Sequence, residues 1–232
     1  LRKTHVVLDN AIWSSLTTRH SNFAEGNGRA CRYPVEVSPL GAVADASDAS
    51  LEALASLLRP NEEIALGSPT ELLSVGGLEA FVRMTLRQMV RSSLSRPTAT
   101  QNVIRLGLAD VADMLALIEI AKPGPFRSRT PELGQYFGIR VDGRLVAMAG
   151  ERLRPIGYTE ISAVCTHPHY RGRGYARALL ETLVRSVIDR GDVPFLHVEK
   201  HNQAASLYEK LGFSVRQTIH LVGLRKPQAP AP

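Results

Sequence analysis

The spacing of apolar positions changes along the chain. In residues 51–58 (LEALASLL) apolar side chains recur as on a helix, and Pro60 stops the run. Residues 63–66 (EIAL) read as a short strand before the Gly67-Ser68-Pro69 break. Residues 81–90 are apolar at a spacing that fits helix or strand equally. Residues 32–39 carry Pro34 and Pro39, which bias their predecessors away from helix, so this stretch is expected to be extended.

From residue 103 the pattern is sharper. Residues 103–106 suit a strand, and Asp110 opens a helix on which Val111, Met114, Leu115 and Ile118 fall at helical spacing. A break follows at residues 122–126 (KPGPF). Residues 136–141 and 144–150 flank Asp142-Gly143, the signature of a two-residue hairpin. Gly157 starts a third strand over 158–166. Gly172-Arg173-Gly174 leads into a helix over 176–189, closed by Arg190-Gly191. A strand over 195–199 precedes a helix from about Gln203 to Leu211, which Gly212 ends, and a last strand runs from Phe213. The order β-α-(α)-β-β-β-α-β-α-β predicts a mixed α/β sheet rather than a doubly wound one. A boundary near residues 96–100 (RPTAT) divides the chain into an accessory region 1–98, a main domain 99–226 and a loose tail 227–232.

Composition narrows the class. With 44% hydrophobic and 22% charged residues in 232, the chain can bury a real core and is not mainly disordered. No run approaches the ~20 apolar residues a bilayer crossing needs, and Val6-Val7-Leu8 stops at Asp9, too short for a signal-peptide core. The chain opens on Leu1, as a chain with a trimmed initiator methionine would. Two cysteines far apart, Cys31 and Cys165, argue against a disulfide framework and for a reducing cytoplasm. The net charge of +6 lies wholly in residues 99–232, where 18 Lys and Arg face 12 Asp and Glu; residues 1–98 hold 10 of each. An excess in one half points to an anionic partner for it, nucleic acid or a phosphorylated small molecule, or to a plain solvated face.

The segment richest in chemistry is residues 168–176 (PHYRGRGYA), between a strand and a helix. Amides at a helix start lack intrahelical partners and carry partial positive charge, so they seat anions. Arg171 and Arg173 add full charges that match a pyrophosphate. Neither the Walker pattern nor the dinucleotide fingerprint is met, because Ala176 and Arg177 stand where a third glycine would be required.

The spacing of Arg171, Gly174 and Ala176 resembles the acyl-CoA pyrophosphate loop (Q/R)xxGx(G/A) of the GNAT superfamily of N-acetyltransferases. Downstream, Asn202, Ala205, Tyr208, Gly212 and Phe213 fall at the spacing N-x-x-A-x-x-Y-x-x-x-G-F, which resembles the helix after the fifth GNAT strand. Together the two matches cover roughly residues 103–225. The resemblance implies a GNAT fold in the C-terminal half, with a smaller or degenerate GNAT-like α/β domain before it. That order is similar to the glycine N-acyltransferase-like branch.

The same resemblance implies residue roles. The amides of Gly172, Arg173, Gly174, Tyr175 and Ala176 would hold the pyrophosphate of acetyl-CoA, with Arg171 beside them. The strand end Val164-Cys165-Thr166 would splay from its neighbour and pair its backbone with pantetheine, and the Val164 N–H would polarise the acyl carbonyl. Asn202 and Ala205 would border the cofactor. Tyr208 matches the acid that protonates the departing thiolate, and Glu160, eleven residues before Arg171, matches a general base; the alternatives are a water chain as base, with Glu160 a strand-start carboxylate in water or paired with Arg152. Strand alternation would set Glu160, Ser162, Val164 and Thr166 on one face. Pro125, Phe126, Arg127 and Arg129 fall where such folds place the acceptor loop, and the arginines suit an acceptor bearing a carboxylate.

Other residues read more plainly. Cys165 has no assigned partner for a covalent intermediate and reads as a buried strand cysteine. His167 and His169 lack a third ligand at metal spacing, so no metal is expected. His197 and His201 receive no role, and His5, Trp13, His20 and Tyr33 read as core or surface. The expected partner is a small-molecule or amino-acid amine, with no membrane, and a monomer or homodimer as the assembly. Two rival classes are a basic nucleic-acid-binding module and a CoA-binding sensor without catalysis. No RRM-like aromatic motif or helix-turn-helix supports the first.

Overall fold

The computed structural model describes residues 5–93, 97, 103–202 and 204–228. The expected boundary at residues 96–100, apart from Pro97, and the helix start at Gln203 lie outside the described residues, as do residues 229–232 of the tail.

In chain order the elements are α1 (Ala11–Leu16), β1 (Glu25–Gly26), β2 (Ala30–Arg32), β3 (Gly41–Val43), α2 (Asp48–Leu57), β4 (Glu63–Ser68) and β5 (Glu79–Arg91). They continue as β6 (Ile104–Leu106), α3 (Val111–Ala121), β7 (Tyr136–Val141), β8 (Arg144–Glu151), β9 (Tyr158–Thr166), α4 (Tyr175–Asp189), β10 (Val193–Glu199), α5 (Ala205–Lys210) and β11 (Phe213–Arg225). A short 3₁₀ turn, Thr130–Leu133, stands where a second helix was expected. The β7–β8 hairpin turns on Asp142 and Gly143, both at positive φ (49° and 78°), as a two-residue turn of this kind demands.

Eight strands form one mixed sheet in the order β4-β11-β5-β10-β9-β8-β7-β6, and β1, β2 and β3 form a small second one. The β9–β10 pair is parallel and its neighbours are antiparallel. The undecided stretch 81–90 is strand: β5 lies between β10 and β11 and pairs with both. Its local periodicity fits either state, and two flanking ladders decide it. The sheet therefore draws strands from both sides of residue 98.

Residues 32–39 correct one expectation. The strand ends at Arg32, and the Pro34 carbonyl then accepts from the Val37 (2.9 Å) and Ser38 (3.1 Å) amides. Proline's fixed φ serves a turn corner as readily as an extended run.

The core is layered on both sheet faces. On one face α4 packs Leu179, Leu180, Leu183 and Val184 against Met89, Ile161, Leu196 and Val198. On the other, Leu8 and α1 cover Val90, Tyr158 and Phe195. The α2 helix buries Leu51 and Leu54 against Ile64, Leu66, Val222 and Leu224, and α3 seats Met114 and Leu117 beside Met148 and Cys165. Among the described residues no helix is long and apolar enough to cross a membrane.

Candidate active site

A fork in the sheet organises the site. β9 and β10 pair only at Tyr158/Val193, Thr159/Pro194 and Glu160/Phe195. Beyond that vertex β9 stays with β8 through Thr166, while β10 stays with β5 from Leu196 to Glu199. Each strand edge facing the gap keeps backbone groups without a ladder partner, available to an inserted ligand. The expected splay of the Val164-Cys165-Thr166 strand end is present.

A bulge in β9 modifies its faces. Ala163 has φ 52°, and the register with β8 slips between Met148 and Gly150. Ile161 and Val164 consequently pack in the α4 cluster, while Cys165 packs in the α3 cluster. Glu160, adjacent to Ile161 and pointing opposite to it, does not share a face with Val164. One extra residue reverses the alternation on which that expectation rested.

The gap opens into a cavity of about 1070 Å³ that reaches both sheet faces. On the α4 side its lining includes Arg171, Ala176, Asn202, Ala204, Leu207 and Tyr208; on the other it includes Leu8, Gln88, Pro125, Arg127, Arg152 and His197. Ala204, the residue that caps α5, borders it, and Ala205 does not.

The turn before α4 has the conformation of an anion seat. Gly172 (φ 76°) and Gly174 (φ 79°) are left-handed, and nothing lies within 4 Å of where a Cβ would stand. Backbone conformation, not crowding, asks for glycine there. Gly174 caps α4 without a side chain, so the first-turn amides of Tyr175, Ala176 and Arg177 are left open, and the Ala178 amide closes the turn onto the Gly174 carbonyl. Arg171 and Arg173 are exposed, and the Arg173 guanidinium lies 5.0 Å from the Tyr170 ring centre. Asn202 Oδ1 accepts from the Ala204 amide at 2.9 Å, which fixes the β10–α5 turn.

Tyr208 is buried in α5, edge-on to Phe213, and lines the cavity. Burial pushes its hydroxyl pKa up to about 12, so it keeps its proton at neutral pH.

Glu160 is where a base was expected, yet its surroundings correct that role. It is 0% exposed. Arg152 donates to both its oxygens, from Nε at 2.9 Å and Nη2 at 2.7 Å, and His197 Nδ1 donates at 2.8 Å. Burial would raise the carboxyl pKa; the Arg152 charge and the hydrogen bonds from Arg152 and His197 outweigh it and hold it at about 2. So strong and enclosed an acid is poorly matched to taking a proton from an ammonium. Glu160 instead anchors Arg152 and His197 at the fork's vertex.

The anchoring continues across the sheet. His197 Nε2 accepts from Gln88 Nε2 at 3.1 Å, and the same amide donates to the Leu8 carbonyl at 2.8 Å. Arg216, set out of register by a bulge between Val215 and Gln217, donates to Gln88 Oε1 at 2.7 Å and to Asp9 at 2.5 Å. Sequence reasoning passed over His197 and did not find Gln88 or Arg216. Only strand register, His197 opposite Gln88, brings them together.

The acceptor loop divides. Pro125 and Arg127 line the cavity. Phe126 does not: it is buried edge-on against Tyr136, ring centres 5.7 Å apart. Arg129 lies outside it as well, clamped by Glu132 through two 2.8 Å hydrogen bonds at the surface. An apolar ring and an arginine three residues from a glutamate satisfy themselves locally.

Of the remaining residues, Cys165 lines the cavity and the others do not. Cys165 and Cys31 are free and buried, and burial raises their thiols to about 12 and about 11. His20 is enclosed between the Tyr33 hydroxyl (2.8 Å) and the Leu133 carbonyl (3.1 Å), and burial lowers it to about 4. His167 Nδ1 accepts from the His169 amide at 3.3 Å. Trp13 is half-buried and His201 exposed, while His5 Nδ1 meets the Tyr158 hydroxyl at 2.6 Å.

Comparison with known proteins places this architecture. Residues 136–222 match the family described as FR47-like protein. A solved structure from Novosphingobium aromaticivorans, assigned to the GNAT family of acetyltransferases, matches at TM-score 0.89 and 37% identity over 95% of this chain and 99% of its own. The chain belongs to the GNAT family. That superposition takes in most of residues 1–98. N-alpha-acetyltransferase RimI of Mycobacterium tuberculosis is 38% identical over 96 residues, 39% of this chain and 55% of its own length. An acetyltransferase of Yersinia pestis is 41% identical over 58 residues, 24% of this chain and 40% of its own. The chain thus spans about half, or less, of these curated relatives. A GCN5-related N-acetyltransferase from Kribbella flavida shares the fold at TM-score 0.63 and 18% identity, over 95% of this chain and 96% of its own.

Proposed function

We propose that this GNAT protein transfers an acetyl group from acetyl-CoA to a primary amine by direct attack. The fork between β9 and β10 carries the proposal, because it joins an anion seat on one sheet face to a side-chain-lined chamber on the other. In this reading acetyl-CoA sets its pyrophosphate on the amides of residues 172–176 beside Arg171 and threads its pantetheine into the gap. A backbone N–H of the β9 edge near Val164 polarises the thioester carbonyl. The amine enters from the Gln88 and Arg152 side. Tyr208, neutral and facing the cavity, protonates the departing thiolate. The amine's proton leaves through water, while Glu160 holds the vertex as a fixed charge.

Arg127, without an ion pair among the described residues, would pair with a carboxylate where the acceptor carries one. Residues 1–98 serve as an accessory region that shapes the acceptor chamber, consistent with the glycine N-acyltransferase-like placement. The two free cysteines suit a reducing cytoplasm.

Calorimetric titration with acetyl-CoA, beside CoA and ATP at two salt concentrations, tests the donor half. Saturable binding of the CoA species but not ATP is expected, followed by thiol release when an amine is added. Tyr208→Phe should lower kcat by about 10²-fold with acetyl-CoA affinity intact. An unchanged kcat would remove Tyr208 from the chemistry. Failure to bind CoA, with steeply salt-dependent binding to random duplex, would move the nucleic-acid reading forward.

A further inference from the structure

On the Gln88 side of the sheet the cavity runs along β5, β11 and β4, away from the path proposed for acetyl-CoA. Resting on the transfer reading above, we infer that the acceptor is a primary monoamine with an extended apolar body, laid along β5 and β11.

The register defines the floor. Directly paired residues on neighbouring strands share a face, which repeats at every second position. Moving away from the vertex, the first row is His197 and Gln88, and the next is Glu199, Leu86 and Ile219. Met84, Leu221 and Gly67 follow, then Val82, Gly223 and Ala65. Every one of these residues lines the cavity. Past the second row no side chain carries a charge or a hydrogen-bonding group. Six residues of strand separate Gln88 from Val82, roughly 20 Å. The fold leaves Met84 37% exposed, and Phe81, which also lines the cavity, 49% exposed.

The charges around the floor select against a second positive group on the ligand. Asp9 and Glu63 also border the cavity, but each is engaged, by Arg216 and Arg225 respectively. Lys122 and Arg127, on the loop that walls the cavity, form no ion pair among the described residues. A diamine's distal ammonium would lose water over an apolar floor and meet two unneutralised cations. Glu199, also without an ion pair among the described residues, stands one row from His197, at the end where the reacting ammonium enters.

The test uses the intact chain at saturating acetyl-CoA, with thiol release measured for propylamine, butylamine, pentylamine and hexylamine, and for 1,6-diaminohexane. We expect kcat/KM to rise about fourfold per methylene, and hexylamine to exceed the diamine of equal length by at least ~10-fold. Met84→Glu should flatten the ladder and narrow the gap to the diamine. Met84→Ala, which removes bulk without adding charge, should lessen the slope. Acetyl-CoA affinity, read by calorimetry, should hold in both variants. A flat ladder, a preference for the diamine, or no turnover of any of these amines with acetyl-CoA bound overturns the inference. Loss of acetyl-CoA binding by the unaltered chain overturns the transfer reading and this with it, so calorimetry tells the two failures apart.

Discussion

The two mouths of the cavity are made from opposite kinds of sequence. On the α4 side the anion seat is one continuous stretch: a strand end, a turn with two left-handed glycines, and the first turn of a helix. Its chemistry belongs to backbone amides, which any chain in that conformation presents. On the other side Gln88, Arg127, Arg152, His197 and Arg216 come from separate segments of the chain, and their chemistry lies in side chains. Under the proposed transfer, the difference teaches how a shared donor and a variable acceptor would coexist on one scaffold. A backbone site is held by local conformation, so the side-chain site can change without disturbing it.

The vertex is where the two sides meet, and breaking it should have the largest effect. Arg152→Met leaves the fully buried Glu160 without its cation and should cost about 3–5 kcal/mol in urea unfolding. The same pair makes stability fall in acid. Glu160 titrates at about 2 when folded, against 4.5 for an unperturbed glutamate. Its contribution is therefore complete above about 4.5 and is lost as pH drops toward 2, a dependence that Glu160→Gln should remove from the urea midpoint profile.

A change confined to the donor mouth should be intermediate in size. Gly174→Val puts a branched side chain at φ 79°, where only glycine sits easily. Acetyl-CoA Kd should rise by about 10-fold while the acceptor KM stays put; a parallel rise in both would deny that the mouths are separable. Arg127→Ala touches the acceptor mouth alone and should be smallest. A carboxylate-bearing acceptor should show a KM raised by about three- to tenfold, with acetyl-CoA Kd unchanged. No change in that KM would remove Arg127 from recognition.

Legibility followed the same division. The hairpin at Asp142-Gly143, the strand from Tyr158 to Thr166 and the start and stop of α4 were readable because turn glycines and apolar spacing act over a few residues. β5 was not readable, because its residues alternate well enough for a strand and cluster well enough for a helix, and the ladders to β10 and β11 made the choice. The motif drew attention to Glu160 as a strand carboxylate at a suggestive offset. Pairing with Arg152 was legible as the alternative, and the structure bears it out; full burial and the second partner, His197, came only from the assembled sheet. Arg127 and Arg129 look interchangeable in the sequence; Glu132 takes one of them out of the site.

The local sequence, then, determined the anion-seating turn, the α/β order and the candidate acid at Tyr208, because each depends on backbone conformation or spacing within a single element. Only the assembled sheet decided what stands opposite them. Where β9 parts from β10, which face the Ala163 bulge turns inward, and whether a carboxylate is a free base or a buried anchor are set by pairing between distant strands. Register and burial are properties of contacts, and no short stretch of chain contains its own neighbours.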